Sequence, residues 1–340
     1  MCTLLGDSAP TAQEWTEQGL EKYGVIAVLK GEERNAAQVE KVNHATAVKM
    51  LESLGAIGQV GPSLGSFSVS ATILKGLCEE YEKELTEKTE KLDTDPHFWM
   101  PLTLPKAEYA SLMSQKGIAE QISNTHHDRM TAFKSKLDLS KMGLFGAVDV
   151  GKDACWWDYG MLGLYSKNNL KLLEDDGDAK LLRTFMGITD KKAHSTIGDA
   201  TTMDDASCVL ACKIASGSIV NSVLCAVTAK EINVDGAIVI NCVAPKITAG
   251  KGAILYNLIS TDEIIAEAGD VRVSVTEESG EAMILKSRTD IDGGVNWKIK
   301  LDINEVTFED VFKKNKDANV GAIEIKRDES YQKVAESLGL

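Results

Sequence analysis

The stretch Cys155-Trp156-Trp157-Asp158-Tyr159-Gly160 sets an Asp-x-Gly turn behind a pair of indoles. It opens a segment in which Leu162, Leu164, Tyr165 and Leu170 fit one broad helical face. A carboxylate at such a junction either caps the helix or reaches a metal or phosphate beside it. Val39-Glu40-Lys41 puts an anion next to a cation. By itself that pair reads as an ordinary solvated turn. Gly65, in Gly61-Pro62-Ser63-Leu64-Gly65-Ser66-Phe67-Ser68, reads by itself as a turn glycine. Asp93 and Asp95 suit turn and cap positions as well as a metal pair, and Asp149 is a weaker ligand candidate. His126 and His127 point about 100° apart on a helix, so they cannot readily chelate one metal and read as surface or satisfied core.

The elements that must position these residues are legible in part. Thr11 with Glu14 is a capping-box signature for a short helix. Tyr23-Gly24-Val25-Ile26-Ala27-Val28-Leu29 has the β-branched density of a buried strand, closed by Gly31. The alternation after Gly61-Pro62 predicts a half-buried strand running to Ser70. Ile73, Leu74, Leu77, Tyr81 and Leu85 predict a helix from Ser70 to Leu92, and a further helix is expected over 104–137. Leu144 to Gly151 is a strand candidate, and Ala179 to Ile188 a short helix.

After a polar boundary at 189–206 the texture becomes repetitive. Lys213, Lys230 and Lys246 each begin a Lys-Ile or Lys-Glu-Ile unit followed by Gly, Ile and Asn, at spacings of 17 and 16 residues. Such a period is that of one coil of a solenoid. Stacking would put Ile219, Ile238 and Ile254 in the interior and Asn221, Asn241 and Asn257 in an amide ladder. Cys208, Cys212, Cys225 and Cys242 suit tight interior corners, and the lysines form a solvated row. Beyond it, Thr261 to Ala268 reads as a short helix, Val271, Val273 and Val275 as a strand before a turn at Glu278-Ser279-Gly280, and Thr307 as the start of a helix. Asp290 to Gly294 lacks the late Glu of a calcium loop and reads as a turn.

Composition bounds the classes. With 340 residues and 44% hydrophobic ones the chain can bury two cores. Net charge is −14, so general attraction to nucleic acid or anionic lipid is not expected. Seven cysteines with no C-x-x-C pair read as free thiols, and no apolar run reaches membrane-spanning length, which makes the cytosol the default compartment.

Taken in order, Tyr23-Gly24-Val25 with Val39-Glu40-Lys41, Ser63-Leu64-Gly65, Asp93 to Leu102, and Trp156-Trp157-Asp158-Tyr159-Gly160 with Asn168-Asn169-Leu170 resemble the sugar-binding half of sugar-1-phosphate nucleotidyltransferases. The repeat is similar to the left-handed parallel β-helix that follows the catalytic domain in ADP-glucose and GDP-mannose pyrophosphorylases. The resemblance implies an α/β fold: a partial nucleotidyltransferase (GT-A/Rossmann-like) domain over 1–188, a parallel β-helix over 205–260 and a mixed extension over 261–340. It implies Asp158 as a Mg²⁺ ligand, Glu40 and Lys41 on the sugar and its phosphate, and Gly65 where the backbone meets the sugar. Sugar phosphate and nucleoside triphosphate would be the substrates, in a homo- or hetero-oligomer.

Val42 stands where the family has Pro, and Ser63 where it has Asn. The family's Gly-x-Gly-Thr-Arg-Leu phosphate loop has no match in residues 1–22. The expectation is therefore a nucleotidyltransferase or its carboxy-terminal part, inactive by itself, with a non-catalytic regulatory or scaffold subunit as the alternative. A hexapeptide-repeat acyltransferase would need a histidine in its solenoid, and all five histidines precede the repeat.

Overall fold

The computed structural model describes residues 2–3, 10–17, 20–31, 36–40, 42–53, 55–87, 92–140, 143–151, 154–291, 293–294 and 296–340. Two compact units divide the chain, Met1–Trp156 and Trp157–Leu340.

In the first unit, β1 (Cys2–Thr3) precedes α1 (Ala12–Glu17), whose capping box forms as the sequence predicts. Thr11 N donates to Glu14 Oε2 at 2.7 Å, and Glu14 N to Thr11 Oγ1 at 3.2 Å. Strands β2 (Gly24–Leu29), β3 (Ala36–Glu40) and β4 (Ile57–Pro62) make a sheet with β2 in the centre and both pairings antiparallel. Helix α2 (His44–Ser53) joins β3 to β4. One face of the sheet packs Val25, Ala27 and Val39 against Trp15, Met50 and Met100, while Ile26, Val28 and Ala36 on the other meet Ala147. Phe145 O accepts from Ala36 N at 2.8 Å, which ties the segment leading to β5 (Val148–Asp149) to the sheet.

The strand expected over 63–70 lies earlier. β4 ends at Pro62 because β2, its only strand neighbour among the described residues, begins at Gly24. The helix expected from Ser70 to Leu92 is broken at Tyr81 into α3 (Ala71–Glu80) and α4 (Glu82–Glu87). A π-helical turn, Asp95–Trp99, then runs into α5 (Met100–Thr103). The expected 104–137 helix is two, α6 (Lys106–Gln115) and α7 (Glu120–Ser135), separated where Gly117 takes φ +80°.

A π turn misaligns carbonyls with the N–H groups that would bond them in an α-helix. Side chains compensate here: Pro96 O accepts from Tyr109 Oη at 2.9 Å, and His97 O from Tyr81 Oη at 2.5 Å. His126 Nε2 reaches the same His97 carbonyl at 3.0 Å, and His127 Nε2 reaches Leu104 O at 3.0 Å. A carbonyl only accepts, so both Nε2 atoms carry the proton. The two histidines are satisfied structural donors, as their spacing suggested.

Burial, opposed in part by the hydrogen bond to the His97 carbonyl and aided by the nearby His97 and Arg129 charges, holds His126 below its ordinary pKa of 6.5. Below that pH the unfolded chain takes a proton that the folded chain resists, so stability falls as pH falls. The melting temperature of the wild type should therefore drop more between pH 7 and pH 5.5 than that of His126→Gln, which keeps an N–H donor but cannot titrate. Equal slopes would contradict this.

The second unit begins with α8 (Leu162–Leu170) and α9 (Gly177–Phe185). The acidic run between them is tied down by cations. Lys171 Nζ lies 3.2 Å from Glu174 and 2.9 Å from Asp178, and Arg183 bonds the Leu172 and Glu174 carbonyls.

Behind these helices stands a β-solenoid of about five turns. Its first sheet stacks β6 (Thr196–Met203), β8 (Lys213–Val220), β10 (Thr228–Asp235), β12 (Val243–Ala249) and β14 (Ile264–Ala266), all in parallel. The second stacks β7 (Cys208–Leu210), β9 (Val223–Cys225), β11 (Ile238–Ile240), β13 (Ile254–Tyr256) and β15 (Asp270–Thr276) in parallel, with β16 (Ala282–Arg288) closing it antiparallel. Parallel pairing is thus wider than the 205–260 window of the repeat.

The stacking register differs from the lysine spacing. Lys213 stands over Thr228, and Thr228 over Val243, a step of 15 residues, so no lysine row forms. Lys246 instead lies over Glu231, 3.4 Å from that carboxylate and 3.4 Å from Glu263. Ile219 fills the interior, but Ile238 and Ile254 point outward, buried beneath Leu172 and Leu182; Val239 and Leu255 take the inner places. Cys212 and Cys242 are interior as expected, whereas Cys208 lies on the outer face. Asn241 Nδ2 donates to Asn257 Oδ1 at 2.8 Å, making the amide ladder for two of its three members. Both occupy one corner with Ala211 and Ala226, all at positive φ, while Asn221 shares the other corner with Gly236, Gly252 and Gly269.

The segment 261–268 is the strand β14 and not a helix, because Ile264 and Ala266 stack on Ile247 and Ala249 inside the coil. Coil stacking outweighs a weak local helix preference. The β15–β16 hairpin turns at Glu277 to Glu281, and α10 (Phe308–Asn315) starts from a Thr307–Asp310 capping box. Finally α11 (Val320–Leu338) lays Ala335 and Leu338 on Val243, with Tyr331 Oη 3.0 Å from both Ala226 O and Thr228 Oγ1. Among the described residues no helix is long and apolar enough to cross a membrane.

Candidate functional site

One end of the three-stranded sheet holds Glu40 and Gly65, two of the residues singled out from sequence in the first unit. Glu40, the last residue of β3, pairs across the hairpin with Gly24, the first of β2. On the opposite side of β2, Ser63 N donates to Gly24 O at 2.7 Å as the chain leaves β4. Gly65 follows two residues later, exposed, at φ +70°, a conformation glycine adopts without strain. Its N–H faces Ser63 Oγ at 3.4 Å. Glu40 and the Ser63–Gly65 turn, far apart in sequence, therefore flank a single backbone position. Lys41 and the Glu40 side chain lie outside the described residues.

The turn after Glu40 is pinned on its far side. Trp15 Nε1 donates to Val42 O at 3.2 Å, and the Trp15 ring meets His44 edge-on at 5.7 Å. Asn43 Oδ1 accepts from Thr46 N at 2.9 Å, capping α2.

Two residues to which the sequence reading gave no site role also belong to this end. Tyr23 directly precedes Gly24, and its ring lies 5.0 Å from that of Trp156 at an interplanar angle of 68°. The indole is 38% exposed. The only signal in the sequence was the position of Tyr23 at the mouth of a buried strand; nothing local predicts that a residue so distant packs on it.

Asp158 belongs to the second unit. Its Oδ1 accepts from Gly160 N at 2.6 Å, closing an Asx turn, and its carbonyl accepts from Asn168 Nδ2 at 2.6 Å. It does not cap α8, whose N-cap position is Met161. Trp157 Nε1 donates to Asp178 Oδ1 at 3.1 Å, holding the turn against α9. Asp158 is thus a fixed, half-buried carboxylate, a hard oxygen donor of the kind Mg²⁺ takes. Among the described residues no three His, Cys, Asp or Glu side chains gather as a metal cage. Magnesium commonly relies on one or two carboxylates completed by substrate phosphates.

The remaining acidic candidates serve turns. The ring Nδ1 of His97 lies 2.9 Å from Asp93 O, Asp93 Oδ1 faces Asp95 N at 3.4 Å, and Asp149 Oδ1 accepts from Gly151 N at 3.0 Å. Asp290 pairs with Arg288 at 3.6 Å, and Asp292 lies outside the described residues.

No protein-family model matches this chain, and no curated protein matches it.

Proposed function

We propose that the chain carries the sugar-phosphate side of a sugar-1-phosphate nucleotidyltransferase, followed by the β-solenoid such enzymes use behind their catalytic domain. The observation that carries this reading is the sheet end itself, where Glu40 and the Ser63–Gly65 turn stand on either side of Gly24. The same residues, in the same chain order, would hold a hexose 1-phosphate. The left-handed coil sense and assembly through the solenoid belong to this proposal too.

In the reaction, an oxygen of the sugar phosphate attacks the α-phosphorus of a nucleoside triphosphate. The bond from that phosphorus to the bridging oxygen breaks, and pyrophosphate leaves. Such chemistry needs positioning and charge neutralisation more than a protein nucleophile. Glu40 would accept hydrogen bonds from sugar hydroxyls, Lys41 would neutralise the phosphate, and Gly65 would let the ring approach the backbone. Mg²⁺, when bound, would supply charge neutralisation at the phosphates, with Asp158 as its protein ligand.

Calorimetric titration with a panel of hexose 1-phosphates tests the sugar side directly. One of them should bind saturably, with Kd on the order of 1 μM–1 mM, the usual range for enzyme substrates. Glu40→Gln should weaken that binding by about tenfold, since a hydrogen bond to a charged group is worth roughly 1.5–3 kcal/mol. Absence of saturable binding across the panel would overturn the proposal.

A further inference from the structure

The helices of the first unit enclose a groove that the sheet end does not use. Arg129 meets Glu80 and Phe133 meets Gly76, so α7 crosses α3 with the opposite chain direction. The two helices approach closely at Gly76, where a Cβ would fall 3.1 Å from the edge of the Phe133 ring. Beside that contact a cleft of about 590 Å³ opens, within the roughly 300–1,000 Å³ of small-molecule sites. Ala71, Gly76, Phe133 and Leu137 form its apolar lining, and Lys75 on α3 and Lys136 at the end of α7 line it with cations.

Neither lysine is firmly held. Lys75 Nζ lies 3.9 Å from Glu79 with both side chains exposed, and Lys136 Nζ lies 3.5 Å from Glu80. Glu80 is taken more closely by Arg129, whose Nε is 2.9 Å away. Exposed ion pairs of such length contribute little, so both ammonium groups can turn to a ligand at small cost. With Glu80 matched by Arg129, the lining presents two cations against the single carboxylate of Glu79, an excess that one negative charge balances. The only other side-chain polar group in the lining is the Thr72 hydroxyl. The body of a ligand that fits here is therefore apolar.

We propose that the groove between α3 and α7 binds a small amphipathic monocarboxylate, its aliphatic chain against Phe133 and Leu137 and its carboxylate between Lys75 and Lys136. Nothing in this depends on sugar-phosphate binding. The apolar lining excludes the desolvation of a polyhydroxylated ring, and Glu79 repels a second anionic group.

Calorimetric titration of the full chain with hexanoate, octanoate and decanoate tests the proposal. Decanoate should bind saturably, and affinity should rise about two- to fourfold with each added methylene, as expected when a methylene leaves water for an apolar surface. Lys75→Gln combined with Lys136→Gln should weaken decanoate by about tenfold, and Lys75→Arg combined with Lys136→Arg should restore it. Both side chains are exposed, so melting temperatures should not change. Decyltrimethylammonium, which carries a similar chain and the opposite charge, should not bind. Absence of saturable decanoate binding, affinity independent of chain length, or wild-type affinity in the paired glutamine variant would overturn the proposal. So would equal binding of the cationic probe, which would mean adhesion to apolar surface without recognition of the head group. A chain that binds decanoate and no hexose 1-phosphate would keep the groove while the sugar-phosphate reading falls.

Discussion

Gly217→Ala unfolds the solenoid unit at a temperature roughly 10 °C below that of the wild type, reflecting a loss of about 4 kcal/mol or more. Gly217 lies within β8 at φ +123°, a conformation closed to other residues. A Cβ built there falls 1.9 Å from the carbonyl oxygen of Ile232 on the next coil and 2.8 Å from its nitrogen. Both atoms are backbone, so relief requires separating β8 from β10 at the centre of the parallel sheet. That would disturb Ile219 and Ile232, which have no exposure to solvent. Gly163, in α8, provides the control: a Cβ there meets nothing within 4 Å. Gly163→Ala should be neutral or stabilising by up to about 1 kcal/mol, because alanine loses less backbone freedom in a helix. Circular dichroism melts of the two variants check both expectations. A Gly217→Ala protein that melts with the wild type would mean that the coils are not stacked in this register.

Asp158→Asn leaves the fold intact and lowers metal-dependent pyrophosphate release by at least about 100-fold, on the proposed reading. Asparagine keeps the oxygen that accepts from Gly160 N, so the Asx turn survives. The Asn168 bond goes to the backbone carbonyl and is unaffected. What disappears is the negative charge, and replacing an anionic oxygen ligand by a neutral one costs more than the roughly 10–100-fold typical of residues that only support a ligand. The comparison is made across a Mg²⁺ titration, with melting temperatures alongside. Retained turnover with unchanged Mg²⁺ dependence would remove Asp158 from the metal. Loss of turnover together with a lowered melting temperature would show that the turn, and not the ligand, had been broken.

What could be read from the sequence followed from how local each signal was. The Thr11–Glu14 capping box, the buried strand at Gly24–Leu29 and the helix after Asp158 involve contacts within a few residues, and the structure shows each of them. The solenoid was legible as a texture but not as a register. Gly217 and Gly236 look equivalent in a repeat anchored on lysines, yet Gly217 sits in mid-strand against Ile232 whereas Gly236 turns a corner. Which residue stacks on which is decided by the fit of the whole interior, and neither the lysines nor the short helix expected at 261–268 had access to that constraint. The outward place of Ile238 and Ile254 was hidden for a related reason. Both faces of the short strands are buried, the inner by the coil and the outer by α8 and α9, so alternation carries no information.

The candidate site was legible through its parts. Glu40 and Gly65 came from their own short motifs, and strand pairing brings their backbones to one end of the sheet. The Tyr23–Trp156 contact could not be anticipated, because it depends on the path of the chain across the sheet after Phe145.

Hydrogen–deuterium exchange with and without saturating hexose 1-phosphate tests the central claim most directly. The account predicts slowed exchange confined to the segments around Gly24, Glu40, Ser63–Gly65 and Trp156, with the stacked strands from Lys213 to Tyr256 unchanged. Protection in those strands, with none at the sheet end, would contradict it.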